Sequence, residues 1–404
     1  MRPPRSRAPS VRVVLAYTAV VMLLAYLIFV SLSLSGAAGR SRCADADAAV
    51  AEAARLRTAH ATAAEELHRA KREVVDLTHR LHFAANQLDG ALTRRAWPAE
   101  HVMRGPNWPS DCKPARVFDC VSFMHEIALF EVRVGELWDA VDFFIVVEAE
   151  TTFQGKPKAA QFWDLVHNSD FPATFLTKVL YYNCGKLKGS KKWDWENDHR
   201  ICMLYALRYH GLRKNDLVIY GDVDEIPDAK DVGLLRDVVT SGLCNPPGQN
   251  DTVADLNALF PVGLRHVYYQ YNFRHVNTAL DWRTDFHYFD GFDIDRIGRG
   301  THKRWLTGRG WHCSFCFPRV ADYVKKLQSY SHNEELFQGM LDAAYINKVV
   351  CEGLPIYKGD RTHRPNITTL SYADAVRHAP PYLVRNRDRF PFLLPERAPC
   401  NLQP

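Results

Sequence analysis

Polar and apolar positions divide the chain into stretches of different period. From Val13 to Leu34 no charged residue interrupts a run of Leu, Val, Ala, Phe and Tyr. About 22 residues at roughly 1.5 Å rise are long enough to cross a bilayer core, so this run predicts a transmembrane helix. Between residues 44 and 92, small and apolar side chains recur at spacings of four and three: Ala63, Leu67, Ala70, Val74, Leu77, Leu81, Ala84 and Leu88. This heptad seam predicts a stem helix, either solitary or paired in a coiled coil, and its alanines would leave a paired form weakly held. Pro98, Gly105, Pro106, Pro109 and Pro114 then mark the stretch from Trp97 to Pro114 as a linker.

Beyond Ala115 short apolar runs alternate with amphipathic segments. Ile127, Phe130, Val134 and Leu137 fall on one helical face within Glu126–Leu137, and Val141–Val147 follows as a buried strand. Phe175–Tyr182 reads as a further strand, Asp198–Tyr209 as a helix, and Leu217–Tyr220 as a strand buried on both faces. His266–Phe273 reads as a strand of the second half, and Leu336–Val350 as a late helix. The β…α…β series predicts an α/β domain with a mostly parallel sheet. Its roughly 290 residues are enough for one core.

Charge orients these parts. Arg2, Arg5, Arg7 and Arg12 precede the apolar run and place the N-terminus in the cytosol. Ser35 to Gly39 offers small residues for a signal protease, but the run exceeds the roughly 7–15 residues of a signal core and predicts an uncleaved anchor. The expected organisation is a cytoplasmic tail at 1–12, a signal-anchor at 13–34, a helical stem and linker at 35–114, and a lumenal domain at 115–404. Ten cysteines are present, all but Cys43 at or beyond Cys112, and an oxidising lumen predicts that most pair. Cys43 could bridge two stems into a homodimer. Cys313 and Cys316 are read as a disulfide pair, with zinc as the alternative. Asn250 and Asn366 head two glycosylation triplets. The net charge of +5 is spread along the chain, so no nucleic-acid partner is expected.

Candidate chemistry concentrates after Tyr220, where Gly221, Asp222, Val223, Asp224, Glu225, Ile226 and Pro227 follow the buried strand. In open parallel sheets ligands bind at the C-terminal edge of the strands. Asp222 and Asp224, held two residues apart there, predict a divalent cation that grips a substrate diphosphate. An acidic surface turn is the alternative. No Walker or Rossmann glycine loop is present to take the phosphates instead.

Several ordered blocks resemble glycosyltransferase family 17. They are the Glu-Val-Arg at 131–133 with Thr152 to Lys158, the Asp-Val-Asp-Glu-Ile-Pro at 222–227, and the Gly-Trp-His-Cys-Ser-Phe-Cys-Phe at 310–317. The tail matches too, through Pro381-Tyr382-Leu383, Asn386 and Asp388-Arg389-Phe390. The segment Ser329–His332 and the Leu-Leu-Pro ending look closer to plant-type members. The resemblance implies a GT-A, Rossmann-like fold and inverting transfer of N-acetylglucosamine from UDP-GlcNAc. The implied acceptor is a mannose of protein N-glycans, in the bisecting β1,4 linkage, and the implied place is the Golgi.

By the same resemblance, Asp222 and Asp224 hold Mn²⁺ (or Mg²⁺) and the diphosphate, with Asp224 the direct ligand. Glu148, at the first strand exit, is a uridine or ribose contact or a structural cap. Lys156 and Lys158 approach the diphosphate or are solvated loop lysines. Arg200 forms an i,i+4 pair with Glu196 near the donor. Glu334 and Glu335 are the candidate general base, with Asp285, Asp290 and Asp322 as rivals. His312 is a metal ligand, an acceptor contact or a core histidine. Gly221 stands where animal-type members carry an acidic residue, which leaves less charge near the metal. Two other classes stay open: a metal-dependent sugar-nucleotide hydrolase, and a non-catalytic glycan-binding protein with an aromatic surface of Trp282, Trp305, Trp311, Tyr268, Tyr269 and Tyr271.

Overall fold

A computed structural model describes residues 113–191, 193–244, 256–291, 293–301, 304–331, 336–357, 367–397 and 402–403, with Arg55, Ala59 and Thr62 further upstream. It divides the chain into two units, residues 1–70 and 71–404. The apolar run at 13–34, the heptad seam, Asn250, Asn366, Glu334 and Glu335 lie outside the described residues. No described helix is long and apolar enough to cross a membrane.

The second unit opens with β1 (Val117–Ser122), α1 (Ile127–Leu137), β2 (Phe143–Glu148), α2 (Phe162–His167) and β3 (Val179–Asn183). It continues through α3 (Asp194–Tyr209), β4 (Leu217–Asp222), β5 (Glu225–Ile226), α4 (Ala229–Cys244) and α5 (Leu256–Leu259). Then come β6 (Val262–Gln270), β7 (Asn272–Tyr288), β8 (Arg304–Ser314), α6 (Val320–Ser329) and α7 (Ala343–Glu352). The last elements are β9 (Ile367–Thr369), α8 (Tyr372–His378) and α9 (Pro381–Arg385). One sheet runs in the order β3-β2-β1-β4-β7-β6-β8-β5, with β9 beside β7.

The expected parallel sheet holds for β3, β2, β1 and β4. The other half is mixed, because β6 reverses into β7 through a tight turn at Tyr271 (φ 68°), and such a hairpin must pair antiparallel. One strand was expected over His266–Phe273 where the chain makes parts of two. Phe175 lies in a 3₁₀ turn at Ala173–Thr177 rather than in a strand, because its ring packs on Trp138 and Phe171 beneath the connection. The late helix starts only at Ala343, since Gly339 takes φ +85° and breaks the turn before it.

Strand β4 is covered on both sides, as its apolar run implies. Leu217 and Ile219 join the cluster under α1 and α4, while Val218 and Tyr220 join the cluster under α3. From β1 the chain winds outward to β3 and returns to β4 on the other flank of β1. That reversal leaves a crevice at the strands' C-terminal ends, where Ser122 and Asp222 stand in register.

Candidate functional site

A cavity of about 190 Å³ opens in that crevice, lined among others by Ser122, Arg200, Asp222, Asp224, His312 and Lys326. Strand β4 runs one residue past Gly221, so Asp222 is its last member. Its Oδ1 accepts from Ser122 Oγ at 2.8 Å and faces Arg200 Nη2 at 2.6 Å, and its Oδ2 accepts from Arg299 Nη1 at 2.7 Å. Burial alone would raise this carboxyl, but Arg200 and Arg299 hold it well below the usual range.

Asp224 follows on the turn into β5. Its Oδ2 accepts from Lys326 Nζ at 3.0 Å, and Oδ1 lies 3.7 Å from His312 Nε2. Burial again works against its charge, and Lys326 and His312 outweigh it. Glu225 is fully buried and accepts from Arg299, Trp282 Nε1 and the Asp222 amide. Burial raises its carboxyl, with Arg299 opposing.

The block at 310–317 forms the opposite wall. β8 pairs antiparallel with β5, which sets His312 against Glu225 in register and delivers its ring to Asp224. Cys313 and Cys316 close a disulfide directly after it, and no zinc is needed to explain the pair. Phe315, at φ +55°, and Phe317 stand 5.4 and 5.5 Å from the Lys326 ammonium.

Of the residues singled out from sequence, Asp222, Asp224, Arg200 and His312 meet in one cavity. The Glu196–Arg200 pair is present at 3.5 Å, and Arg200 also reaches Asp222. Glu148 is fully buried and accepts from the amides of Gln161 and Phe162 at the start of α2 and from Tyr181 Oη, the contacts of a structural cap. Lys158 lines the cavity while pairing with Glu148 at 3.2 Å. Lys156 is exposed and lies outside the cavity.

The three rival bases lie outside the cavity lining. Asp285 accepts from the Gly300 amide at 2.6 Å, Asp322 pairs with Arg319 at 2.9 Å, and Asp290 stands 3.7 Å from Arg296. The proposed aromatic surface is largely interior, since Trp311, Tyr268, Tyr269 and Tyr271 are buried.

Sequence reasoning gave no site role to Arg299, Lys326, Glu126 or Ser122, and read Trp282 as part of an aromatic surface rather than as a donor to Glu225. Arg299 sits in a Gly-Arg-Gly turn and Lys326 in an ordinary amphipathic helix, so neither carries a local signal. Among the described residues, no three His, Cys, Asp or Glu side chains cluster closely enough to form a metal cage.

The sequence profile of glycosyltransferase family 17 matches residues 94–401. The chain is 26% identical over 374 residues to the beta-1,4-mannosyl-glycoprotein 4-beta-N-acetylglucosaminyltransferase of Rattus norvegicus, covering 78% of this chain and 65% of the relative. It is 27% identical to the Homo sapiens protein of that name, covering 70% and 55%, and 26% identical to that of Mus musculus, covering 71% and 56%. The matches therefore span less than two thirds of each relative's length. With the profile covering most of the chain, this protein belongs to glycosyltransferase family 17.

Proposed function

We propose that this chain transfers N-acetylglucosamine from UDP-GlcNAc to a mannose of protein N-glycans, with inversion and with the bisecting β1,4 linkage as the leading product. The observation that carries this reading is the convergence of Arg200, Arg299 and Lys326 on Asp222 and Asp224 at the switch point of the sheet. Two of them, Arg200 and Lys326, line the cavity, and fixed positive charge there suits a nucleotide diphosphate. The names of the relatives support the sugar and the acceptor.

In a single displacement, the acceptor hydroxyl oxygen forms a bond to the anomeric carbon while the bond to the diphosphate oxygen breaks. UDP leaves with the electron pair, and the hydroxyl proton passes to a base on the opposite face. We keep Glu334 or Glu335 for that base. The carboxylates lining the cavity among the described residues, Glu126, Asp222 and Asp224, are each tied to a basic partner.

Asp224 and His312 together fit a divalent ion such as Mn²⁺ or Mg²⁺. They offer a hard oxygen, Asp224 Oδ1, 3.7 Å from the imidazole Nε2. When bound, the ion supplies positive charge to the departing diphosphate. Arg200 and Arg299 hold Asp222 in place, and buried Phe315 and Ile356 exclude water from the cavity wall.

We propose a single-pass type II protein of the Golgi membrane, anchored by residues 13–34 and carried on a stem that is either a solitary helix or a pairing one. The test uses the full chain in detergent with UDP-GlcNAc, Mn²⁺ and a panel of biantennary N-glycans. We expect a product heavier by one N-acetylhexosamine and its loss in Asp224→Ala. Absence of UDP release with every acceptor would overturn the assignment.

A further inference from the structure

Lys326 holds its ammonium 3.0 Å from Asp224 Oδ2 and 3.4 Å from Glu126 Oε1, buried between the rings of Phe315 and Phe317. Burial works against an ammonium, and the two carboxylates beside it supply the compensating charge. Its side chain lines the cavity wall. One of its two partners is the carboxylate that a divalent ion would use. The other is fixed independently, because Glu126 Oε2 accepts from the amides of Met124 and His125 at 3.3 and 3.0 Å. The ammonium could therefore leave Asp224 while keeping Glu126.

We propose that Lys326 is a tethered counter-ion that competes with the divalent ion for Asp224 and yields when the donor diphosphate arrives. Without nucleotide, the ammonium satisfies Asp224 and repels an incoming dication. A diphosphate in the cavity offers the ammonium new anionic oxygens within reach, and Asp224 with His312 is released to the ion. Metal and nucleotide uptake are then coupled through one side chain, and each tightens the other by the same factor. This inference rests on the donor-site reading above.

The test measures Mn²⁺ binding to the full chain in detergent, by calorimetry and by the paramagnetic resonance signal of free Mn²⁺, with and without saturating UDP. In wild type, UDP is expected to tighten Mn²⁺ by tenfold or more, beyond the affinity of UDP itself for the ion. Lys326→Met is expected to bind Mn²⁺ alone at least tenfold tighter, with the UDP effect shrinking towards one. A folded Lys326→Met with wild-type Mn²⁺ affinity and coupling overturns the proposal.

Should that variant not fold, Glu126→Gln carries the test. Losing its second partner, Lys326 turns wholly to Asp224 and the UDP effect on Mn²⁺ grows; an unchanged effect overturns the proposal. A wild-type chain that binds no UDP under any condition sinks the donor site itself, whereas UDP and Mn²⁺ binding with unaltered coupling in the variants sinks only the role of Lys326.

Discussion

Arg133 and Asp119 form a fully buried bidentate pair, with Nε and Nη2 each 2.6 Å from a carboxylate oxygen. The remaining nitrogen, Nη1, donates to the carbonyl of Asp222 at 3.1 Å and to that of Glu225. Helix α1 thus fixes from below the turn that presents Asp222 and Asp224. Neither side chain lines the cavity, so the pair positions the site without touching its contents.

Arg133→Met leaves Asp119 buried without a counter-charge and removes the donor to two carbonyls. Urea unfolding is expected to show a loss of about 3–5 kcal/mol. The double variant Arg133→Met with Asp119→Leu is expected to recover part of that stability but not UDP affinity. A double variant that binds UDP like wild type would refute the positioning role.

The two fully described disulfides are expected to fail differently. Cys184–Cys202 closes a loop with a separation of 18 residues and Cys313–Cys316 one of 3. Loop entropy gives about 3 kcal/mol for the first and about 2 kcal/mol for the second. Serine replacement of Cys313 and Cys316 is nevertheless expected to damage UDP and Mn²⁺ binding more, because that loop places His312, Phe315 and Phe317. Comparable ligand affinity in the two serine pairs would show that the short loop has no part in the site.

Acid is expected to destabilise the domain before the carboxylates titrate. Burial pushes His199 down to about 3 and His275 to about 4, and holds His266 well below the ordinary value. These rings stay neutral when folded and become charged when unfolded, so their contribution is complete above about pH 6.5 and falls away as pH drops below it. Roughly two to three protons should be taken up on unfolding near pH 5.5. His199→Gln is expected to lower the slope of stability against pH by about 1.4 kcal/mol per unit. An unchanged slope would mean that His199 does not titrate as its burial requires.

Gly221 has no room for a side chain. A Cβ there would stand 2.6 Å from Glu225 Oε2 and 3.0 Å from Thr284 Cγ2. Gly221→Ala is expected to cost about 1–3 kcal/mol in thermal unfolding. Gly221→Asp is expected to be worse, because it sets a second buried carboxylate against Glu225. Wild-type stability in Gly221→Asp would show that the strand can move away without loss.

Much of this molecule is legible locally. The buried run at Leu217–Tyr220 became β4, the helical spacing at 127–137 became α1, and the carboxylates after Gly221 sit at the ligand edge of the sheet. The Cys313–Cys316 pair was readable from its spacing and the density of cysteines. Where the reading failed, apolar residues had a tertiary use. Phe175 serves a connection, and Tyr271 turns a hairpin inside an unbroken aromatic run.

The sequence by itself determined which faces are buried, because side-chain period reports burial directly, and it determined that acidic groups leave a central strand. Tertiary structure alone decided what meets those groups. Glu148 and Asp222 both end an apolar strand, yet Glu148 is consumed by the amides that open α2, 13 and 14 residues on. Asp222 instead receives Arg299 from 77 residues away, and Asp224 receives Lys326 from 102. No local pattern encodes such partners, since they depend on which distant segments the fold lays across a strand end.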